Sequence, residues 1–77
     1  MTKEELASQL TEGKALKIVT RRFQQRPAED WVRPTSILGW GDYAFSFQGH
    51  YTWEEDEGAK PSPRTFVIPY NNIEEVR

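Results

Sequence analysis

Aromatic residues alternate with small or polar residues between positions 43 and 53, and this is the most regular hydrophobic pattern in the chain. Alternation enriched in aromatic residues predicts a long β-strand with one face on the core. One further hairpin is too small to cover that face, so we expect a sheet that curls around it or shares it with a neighbouring molecule. The alternating positions are Tyr43, Phe45, Phe47, Gly49, Tyr51 and Trp53.

The start of the chain predicts a short helix. Thr2 and Glu5 have the spacing of a capping box, in which each side chain accepts a hydrogen bond from the other residue's backbone N–H. Leu6 and Leu10 lie one turn apart on a common face, and Gly13 is a typical C-terminal stop. We therefore expect a helix over about residues 3–11, packed on the rest of the protein because a helix this short is marginal alone.

Shorter hydrophobic runs predict strands on both sides of the aromatic pattern. One helix followed by about five strands closes most simply as a small barrel. We therefore expect a single, mainly β domain over residues 1–77, in which a five-stranded, strongly bent small barrel occupies about 14–77. The predicted strands are 14–23, 35–38, 43–53, 64–69 and 73–77.

Two segments have the composition of loops. Residues 24–34 contain two prolines and four charges, with one strand-like pair at Trp31 and Val32. Residues 54–63 begin with four consecutive acids and contain a glycine and two prolines. This second segment predicts a solvated, mobile hairpin loop.

Composition restricts the class of protein. The chain has 77 residues, no cysteine and one histidine, so disulfides are excluded and a structural zinc site is not expected. A domain of this size has a small core, and self-association is the remaining way to bury more surface. No apolar run is long enough to span a bilayer and no signal peptide opens the chain, so we expect a soluble cytoplasmic protein with no membrane partner.

The charge is small overall but unevenly distributed. The net charge of −2 disfavours strong sequence-independent binding to polyanions. Residues 1–33 carry seven Lys or Arg and five Asp or Glu, whereas residues 34–77 carry three and seven. Oppositely charged regions favour head-to-tail assembly, although the same pattern is typical of a solvated surface with no partner.

Three short motifs are spread along most of the length of the chain. Gly39 precedes Asp42, an aromatic residue and Ser46, and the segment 68–76 breaks a strand and restarts it with two spaced aliphatic residues. The segment 10–18 leads from the predicted helix into the first strand. This arrangement resembles the Sm-like family (LSm and Hfq-type proteins), whose members have a small five-stranded barrel after an N-terminal helix.

The sequence departs from the family pattern in three places. Pro69 and Tyr70 replace an Arg-Gly pair, so the Arg that would cover a bound base from the opposite side is missing. Ser46 replaces an Asn, and the segment 24–34 is longer than in most members. A different SH3-like small barrel is the alternative.

The resemblance implies a ring that binds RNA. In the family the fourth strand pairs with the fifth strand of a neighbour, here 64–68 with 73–77, which covers otherwise exposed edges. An aromatic ring stacks on a base and an Asn reads its edge. From the residues alone, the alternative is that Tyr43 is a core residue and that Asn71 with Asn72 forms only a tight turn. The implied nucleotide-binding residues are Asp42, Tyr43, Ser46, Tyr70, Asn71 and Asn72.

Basic and aromatic residues in the first half form a second candidate set. Lys17 and Arg21 fall on one side of the first strand, and Trp31 with Arg33 nearby would give a stacking platform. The alternative is an exposed strand face whose cations pair with acids of a neighbour. The candidate phosphate or stacking contacts are Lys17, Arg21, Arg22, Trp31 and Arg33.

The sequence contains no motif for catalysis or metal binding. His50 is expected near solvent, opposite the aromatic face, with no Ser or Cys nucleophile motif beside it. The acids at 54–57 lack the ligand spacing of a calcium loop. We therefore predict a non-enzymatic protein with no catalytic residue, no metal site and no cofactor.

Three functions remain from this reasoning. The leading one is a homo-oligomeric ring that binds RNA or single-stranded nucleic acid. The second is an oligomer that holds a small nucleotide or metabolite between subunits, through Trp31, Trp40, Tyr70 and the arginines. The third is an SH3-like protein-interaction module that uses the aromatic strand or an exposed sheet edge.

Overall fold

The computed structural model describes residues 1–20, 28–58 and 60–77, and only the backbone of residues 20, 28–30 and 57. The described residues form one α-helix, five β-strands and two 3₁₀ helices, which confirms the mainly β class with an N-terminal helix. The helix is α1 Lys3–Gln9, and the strands are β1 Leu16–Thr20, β2 Ala28–Trp40, β3 Ala44–Tyr51, β4 Arg64–Pro69 and β5 Ile73–Val76. The first 3₁₀ helix is Thr52–Glu57, and the second is Tyr70–Asn72.

The capping box starts α1 as predicted. The N–H of Glu5 donates to Thr2 Oγ1 at 3.1 Å, and the N–H of Thr2 donates to Glu5 Oε1 at 3.3 Å. The helix ends at Gln9 rather than near residue 11, and Gly13 lies in the following turn with a φ of +85°. Among the described residues, none of the helical segments has the length and apolarity needed to cross a bilayer.

The strands form one antiparallel sheet in the spatial order β4-β3-β2-β1-β5. Leu16 of β1 lies opposite Val32 on one side and Val76 on the other. β4 pairs with β3 alone and β5 pairs with β1 alone, so β4 and β5 are the two edges of the sheet formed by the described residues. The five predicted strands are therefore present, but the sheet does not close into a barrel, because closure requires a ladder between β4 and β5.

β2 is longer than the sequence predicted. It begins at Ala28, inside the segment 24–34 predicted to be a loop, and continues to Trp40. Pro34 lies opposite Gly49, and the register of the ladder shifts just after Pro34. A bulge is one of the few strand positions that tolerates a proline, which has no N–H to donate. The loop prediction was wrong over this part because the proline lies at such a bulge.

The core lies between the inner face of the sheet and α1. Phe45 and Phe47 are fully buried, as the alternation predicts. The Phe45 and Phe47 ring centroids are 5.0 Å apart, and Phe66 of β4 stacks 5.2 Å from Phe47. Trp40 extends this row, 4.4 Å from Phe45. The buried cluster consists of Leu6, Leu16, Ile18, Val32, Phe45, Phe47, Tyr70 and Ile73.

The aromatic alternation continues past both ends of β3. The strand spans Ala44–Tyr51, so Tyr43 and Trp53 lie outside it. Tyr43 is 87% exposed and Trp53 is 54% exposed. A core position is therefore wrong for both residues, because the alternation of faces ends where the strand ends.

The acidic segment predicted as a mobile hairpin loop is partly helical. Its first residues belong to the first 3₁₀ helix, Thr52–Glu57. Glu54 Oε1 lies 2.7 Å from Nη2 of Arg64, the first residue of β4. Glu54, which the sequence predicts in a solvated loop, is therefore ion-paired with the neighbouring strand β4.

Candidate functional site

The turn between β2 and β3 and the second 3₁₀ helix, which forms the turn between β4 and β5, meet at one end of the sheet. The hydroxyl of Tyr70 donates to the carbonyl oxygen of Gly41 at 2.7 Å, and the N–H of Tyr70 donates to the carbonyl oxygen of Tyr43 at 3.2 Å. The N–H of Gly41 also donates to the carbonyl oxygen of Ala44 at 3.0 Å. The turn between β2 and β3 is therefore fixed by its own hydrogen bond and by two more from the second 3₁₀ helix.

A groove of about 520 Å³ lies between these turns and the start of α1. Its walls come from residues 1–4, from Asp42 and Tyr43, and from residues 69–71, and we call it the Tyr43 groove. Four of the six predicted nucleotide-binding residues line it: Asp42, Tyr43, Tyr70 and Asn71.

The other two predicted nucleotide-binding residues do not line the groove. Ser46 lies on β3, opposite Val67 of the edge strand β4. Asn72 is exposed at the end of the second 3₁₀ helix. The resemblance placed both near the pocket because they belong to the two motifs, but only part of each motif faces the groove.

The two tyrosines of the groove have different roles. Tyr70 is 6% exposed and uses its hydroxyl to hold the turn at Gly41, so its ring is part of the core. Burial raises the pKa of the Tyr70 hydroxyl, and the negative charges of Asp42 and Glu4 raise it further. Tyr43 is 87% exposed, so its ring is the one available to a ligand.

The start of the chain completes the groove. The amino group of Met1 donates to the carbonyl oxygens of Ile73 at 3.0 Å and Tyr70 at 3.3 Å. These bonds bring the half-buried Lys3 and the exposed Glu4 to the wall of the groove. The sequence analysis did not identify these two residues, because a capping box predicts where a helix starts but not which turn it packs against.

The predicted basic stripe is described only in part. Nζ of Lys17 lies 4.0 Å from Oε2 of Glu74, which is an ion pair within one chain. Across the ladders, Lys17 lies opposite Trp31 on β2 and Glu75 on β5. Arg21 and Arg22 lie outside the described residues.

Trp31 and Arg33 line a second, separate cleft of about 270 Å³. We call it the Trp31–Arg77 cleft, because the guanidinium carbon of Arg77 lies 4.3 Å from the centroid of the Trp31 ring. Ala15 and Thr52 complete its lining. The two residues that the sequence grouped as a stacking platform are therefore near each other, but Arg77 already covers one face of the indole.

Beside this cleft, Arg33, Glu55 and His50 form a polar cluster. Arg33 binds Glu55 with two hydrogen bonds, of 2.6 Å from Nε to Oε2 and 3.2 Å from Nη2 to Oε1. Arg33 Nη1 also donates to the carbonyl oxygen of Gly13. Nε2 of His50, whose side chain is 12% exposed rather than near solvent, lies 2.7 Å from Glu55 Oε2.

The electrostatics of the cluster follow from these bonds. The hydrogen bond from Arg33 and then that from His50 lower the pKa of Glu55 from 4.5 to about 2. The same pairing raises the pKa of Arg33. Arg33 and His50 lie opposite each other on β2 and β3, so the carboxylate ties the first 3₁₀ helix to both strands.

The groups at the Tyr43 groove are suited to non-covalent contacts with a ligand. The Tyr43 groove offers an exposed ring, the Asn71 amide, two carboxylates and one ammonium group. In the described ranges, no group of three or more His, Cys, Asp or Glu residues is placed to hold a metal ion. Comparison with family models, curated proteins and solved structures finds no match.

Proposed function

We propose that this chain is a non-enzymatic, Sm-like protein that binds single-stranded RNA as a homo-oligomer, with one nucleotide in each Tyr43 groove. The observation that carries the proposal is the Tyr43 ring, which is 87% exposed on a turn fixed by Tyr70. Because the backbone of this turn is already fixed, stacking of the Tyr43 ring on a base does not carry the entropic cost of ordering that backbone. Base–aromatic stacking contributes about 1–3 kcal/mol per base.

The rest of the groove suits a nucleotide. Its volume of about 520 Å³ lies within the range of small-molecule sites, about 300–1,000 Å³. The Asn71 amide carries both donors and an acceptor for the edge of a base. Lys3 supplies a positive charge for the phosphate at the same groove.

Two carboxylates at the groove make each site weak. Asp42 and Glu4 repel a phosphate backbone, and the whole chain has a net charge of −2. Repetition of the groove around an oligomer offsets this weakness, because binding of one nucleotide raises the effective concentration of the next at the neighbouring groove. The proposal therefore requires assembly as well as the groove.

The edges of the sheet support assembly. β4 and β5 each have one side without a partner strand in the described part of the chain, and unpaired edges attract other strands. β4 begins with the exposed Arg64, whereas β5 carries the exposed Glu74 and Glu75. This opposite charge favours pairing of β4 with β5 of a neighbour, the contact that the Sm-like resemblance implies.

The arrangement of the motifs also supports the Sm-like assignment. The helix precedes the sheet, and the fourth and fifth strands are its edges. The segment around Asp42, which resembles the first Sm motif, meets the segment around Asn71, which resembles the second, at one groove. Residues distant in the sequence are thus adjacent where the resemblance expects a shared pocket.

A small nucleotide or metabolite is the second candidate ligand. It is favoured by the two carboxylates at the groove, which oppose a long polyanion more than a single nucleotide. The two candidates differ in length dependence. Affinity for RNA rises with the number of nucleotides as more grooves are occupied. A site for a small nucleotide instead reaches its full affinity with a single nucleotide, and a longer RNA does not bind it more tightly.

Substitution of Tyr43 tests the groove. We expect Tyr43→Ala to weaken binding of a fluorescein-labelled 12-nucleotide RNA by about 5- to 150-fold per occupied groove, which is the value of one stacked base. Tyr43→Phe keeps the ring and is expected to bind like the unmodified chain. The measurement is fluorescence anisotropy at low salt, repeated at higher salt to obtain the phosphate contribution.

The matched control is Trp53→Ala. Trp53 is also an exposed aromatic residue, at 54%, but it stacks on Tyr51 and does not line the groove. We expect this variant to bind RNA normally. RNA binding that Tyr43→Ala leaves intact, or that Trp53→Ala weakens equally, contradicts the assignment of the groove.

A further inference from the structure

The Trp31–Arg77 cleft contains an arginine that is held in place through its backbone. The N–H and carbonyl oxygen of Arg77 both bond to the backbone of the buried Ala15 at 2.9 Å, so the residue is anchored. Its guanidinium group lies over the Trp31 ring, with 4.3 Å from Cζ to the ring centroid. Within the described residues, the Arg77 side chain makes no hydrogen bond and no ion pair, which leaves all its N–H donors available.

A second guanidinium lines the same cleft. Arg33 uses three of its five N–H donors, two for Glu55 and one for the carbonyl oxygen of Gly13. Two donors of Arg33 therefore remain, and the half-buried Thr52 lines the same cleft. The cleft thus contains more donors than the described chain satisfies.

We propose that the Trp31–Arg77 cleft is an anion site that takes a phosphate group. Arginine binds phosphate with paired N–H donors, and stacking on an aromatic ring fixes the plane of that fork. Arg77 covers one face of Trp31, so the indole orients the arginine rather than stacking on a base from that side. Glu55 neutralises part of the charge of Arg33, which makes Arg77 the principal contact.

The site is independent of the proposed RNA groove. The Trp31–Arg77 cleft and the Tyr43 groove share no lining residue. The phosphate comes either from free inorganic phosphate or from the backbone of a nucleic acid, and both present the same tetrahedral oxyanion. An experiment that disproves binding at one of the two sites does not disprove binding at the other, so the two proposals are tested separately.

The test is a titration of the full chain with inorganic phosphate at constant ionic strength. The readout is the indole N–H signal of Trp31 in a nitrogen–proton NMR spectrum. Trp31→Phe assigns that signal. We expect a saturable shift, and we expect Arg77→Gln to weaken the binding about tenfold or more, because hydrogen bonds to a charged group are strong. Glu55→Gln is expected to strengthen binding, because it frees Arg33 from its carboxylate.

Arg64→Gln is the matched control. Arg64 also lies over an aromatic ring, with Cζ 5.3 Å from the Tyr51 centroid, and its loss changes the net charge by the same amount outside the cleft. Binding in this variant should equal that of the unmodified chain. The proposal is overturned if the Trp31 signal shows no saturable shift, or if Arg77→Gln and Arg64→Gln weaken binding equally.

A second arm distinguishes the sources of phosphate once binding is established. A single-stranded RNA that displaces phosphate from the Trp31 signal identifies the nucleic-acid backbone as the ligand. Phosphate binding that persists unchanged in the presence of RNA identifies free phosphate. Both results uphold the anion site.

Discussion

Replacing Phe45 by alanine is expected to lower the free energy of unfolding by about 3–5 kcal/mol, the largest loss of any single truncation considered for this chain. Phe45 is fully buried, and its ring stacks between Trp40 at 4.4 Å and Phe47 at 5.0 Å. The substitution removes apolar burial and two aromatic contacts, and it leaves a cavity in the middle of the core.

Urea unfolding followed by circular dichroism measures this loss. Small domains have total stabilities of about 5–15 kcal/mol, so this loss is a large part of the total and the variant is expected to unfold at a much lower urea concentration. Tyr43→Ala is the control, because it also removes an aromatic ring, but one that is 87% exposed, and it should cost less than about 0.5 kcal/mol. If the Phe45→Ala variant were as stable as the Tyr43→Ala variant, the burial of Phe45 in the core would be contradicted.

Replacing Gly49 by alanine is the second large effect that we expect. A Cβ atom at this buried position would meet the carbonyl oxygen of Arg33 on β2, with the Arg33 carbonyl carbon and Pro34 Cα at 3.1 Å. All three atoms belong to the backbone, which yields less readily than a side chain. We expect destabilisation of about 1–3 kcal/mol or more, because β2 must move away from β3 at the bulge.

Gly39→Ala provides the matched comparison. It makes the same chemical change on the same β2–β3 ladder, but an added Cβ would have nothing within 4 Å. We expect it to be neutral within about 0.5 kcal/mol, or slightly stabilising because alanine restricts the unfolded chain. Equal unfolding midpoints for Gly39→Ala and Gly49→Ala would show that the close approach at Gly49 is absent.

The sequence predicts best the features that depend on neighbouring residues. The capping box from Thr2 to Glu5 is a four-residue pattern, and α1 starts there. The alternation that buries Phe45 and Phe47 holds inside β3, and β4 has the bounds that its hydrophobic run predicts. Each of these signals is local, so no knowledge of the tertiary fold is needed.

Features that depend on distant residues were missed. The prolines and charges before Trp31 favoured a loop, whereas β2 begins at Ala28, because pairing with β1 and β3 outweighs local propensity. The sequence predicts that Glu54 and Glu55 belong to a solvated tip, but arginines of other strands bind both. Nothing local in the sequence identifies such pairs.

The Tyr43 groove likewise has features that the sequence predicts and features that it does not predict. The Sm-like resemblance predicts that Asp42, Tyr43, Tyr70 and Asn71 share a pocket, and all four line the Tyr43 groove. It did not indicate that the Tyr70 ring is buried and only Tyr43 is exposed, which depends on where β3 begins. For this reason Tyr43, rather than Tyr70, is the informative position for mutation.

Native mass spectrometry of the chain mixed with a 12-nucleotide RNA tests the central claim most directly. If the proposal holds, we expect a discrete homo-oligomer that carries bound RNA, with the β4 and β5 edges paired between subunits and the RNA bound at the repeated Tyr43 grooves. A monomer without bound RNA at low salt would contradict both the assembly and the function.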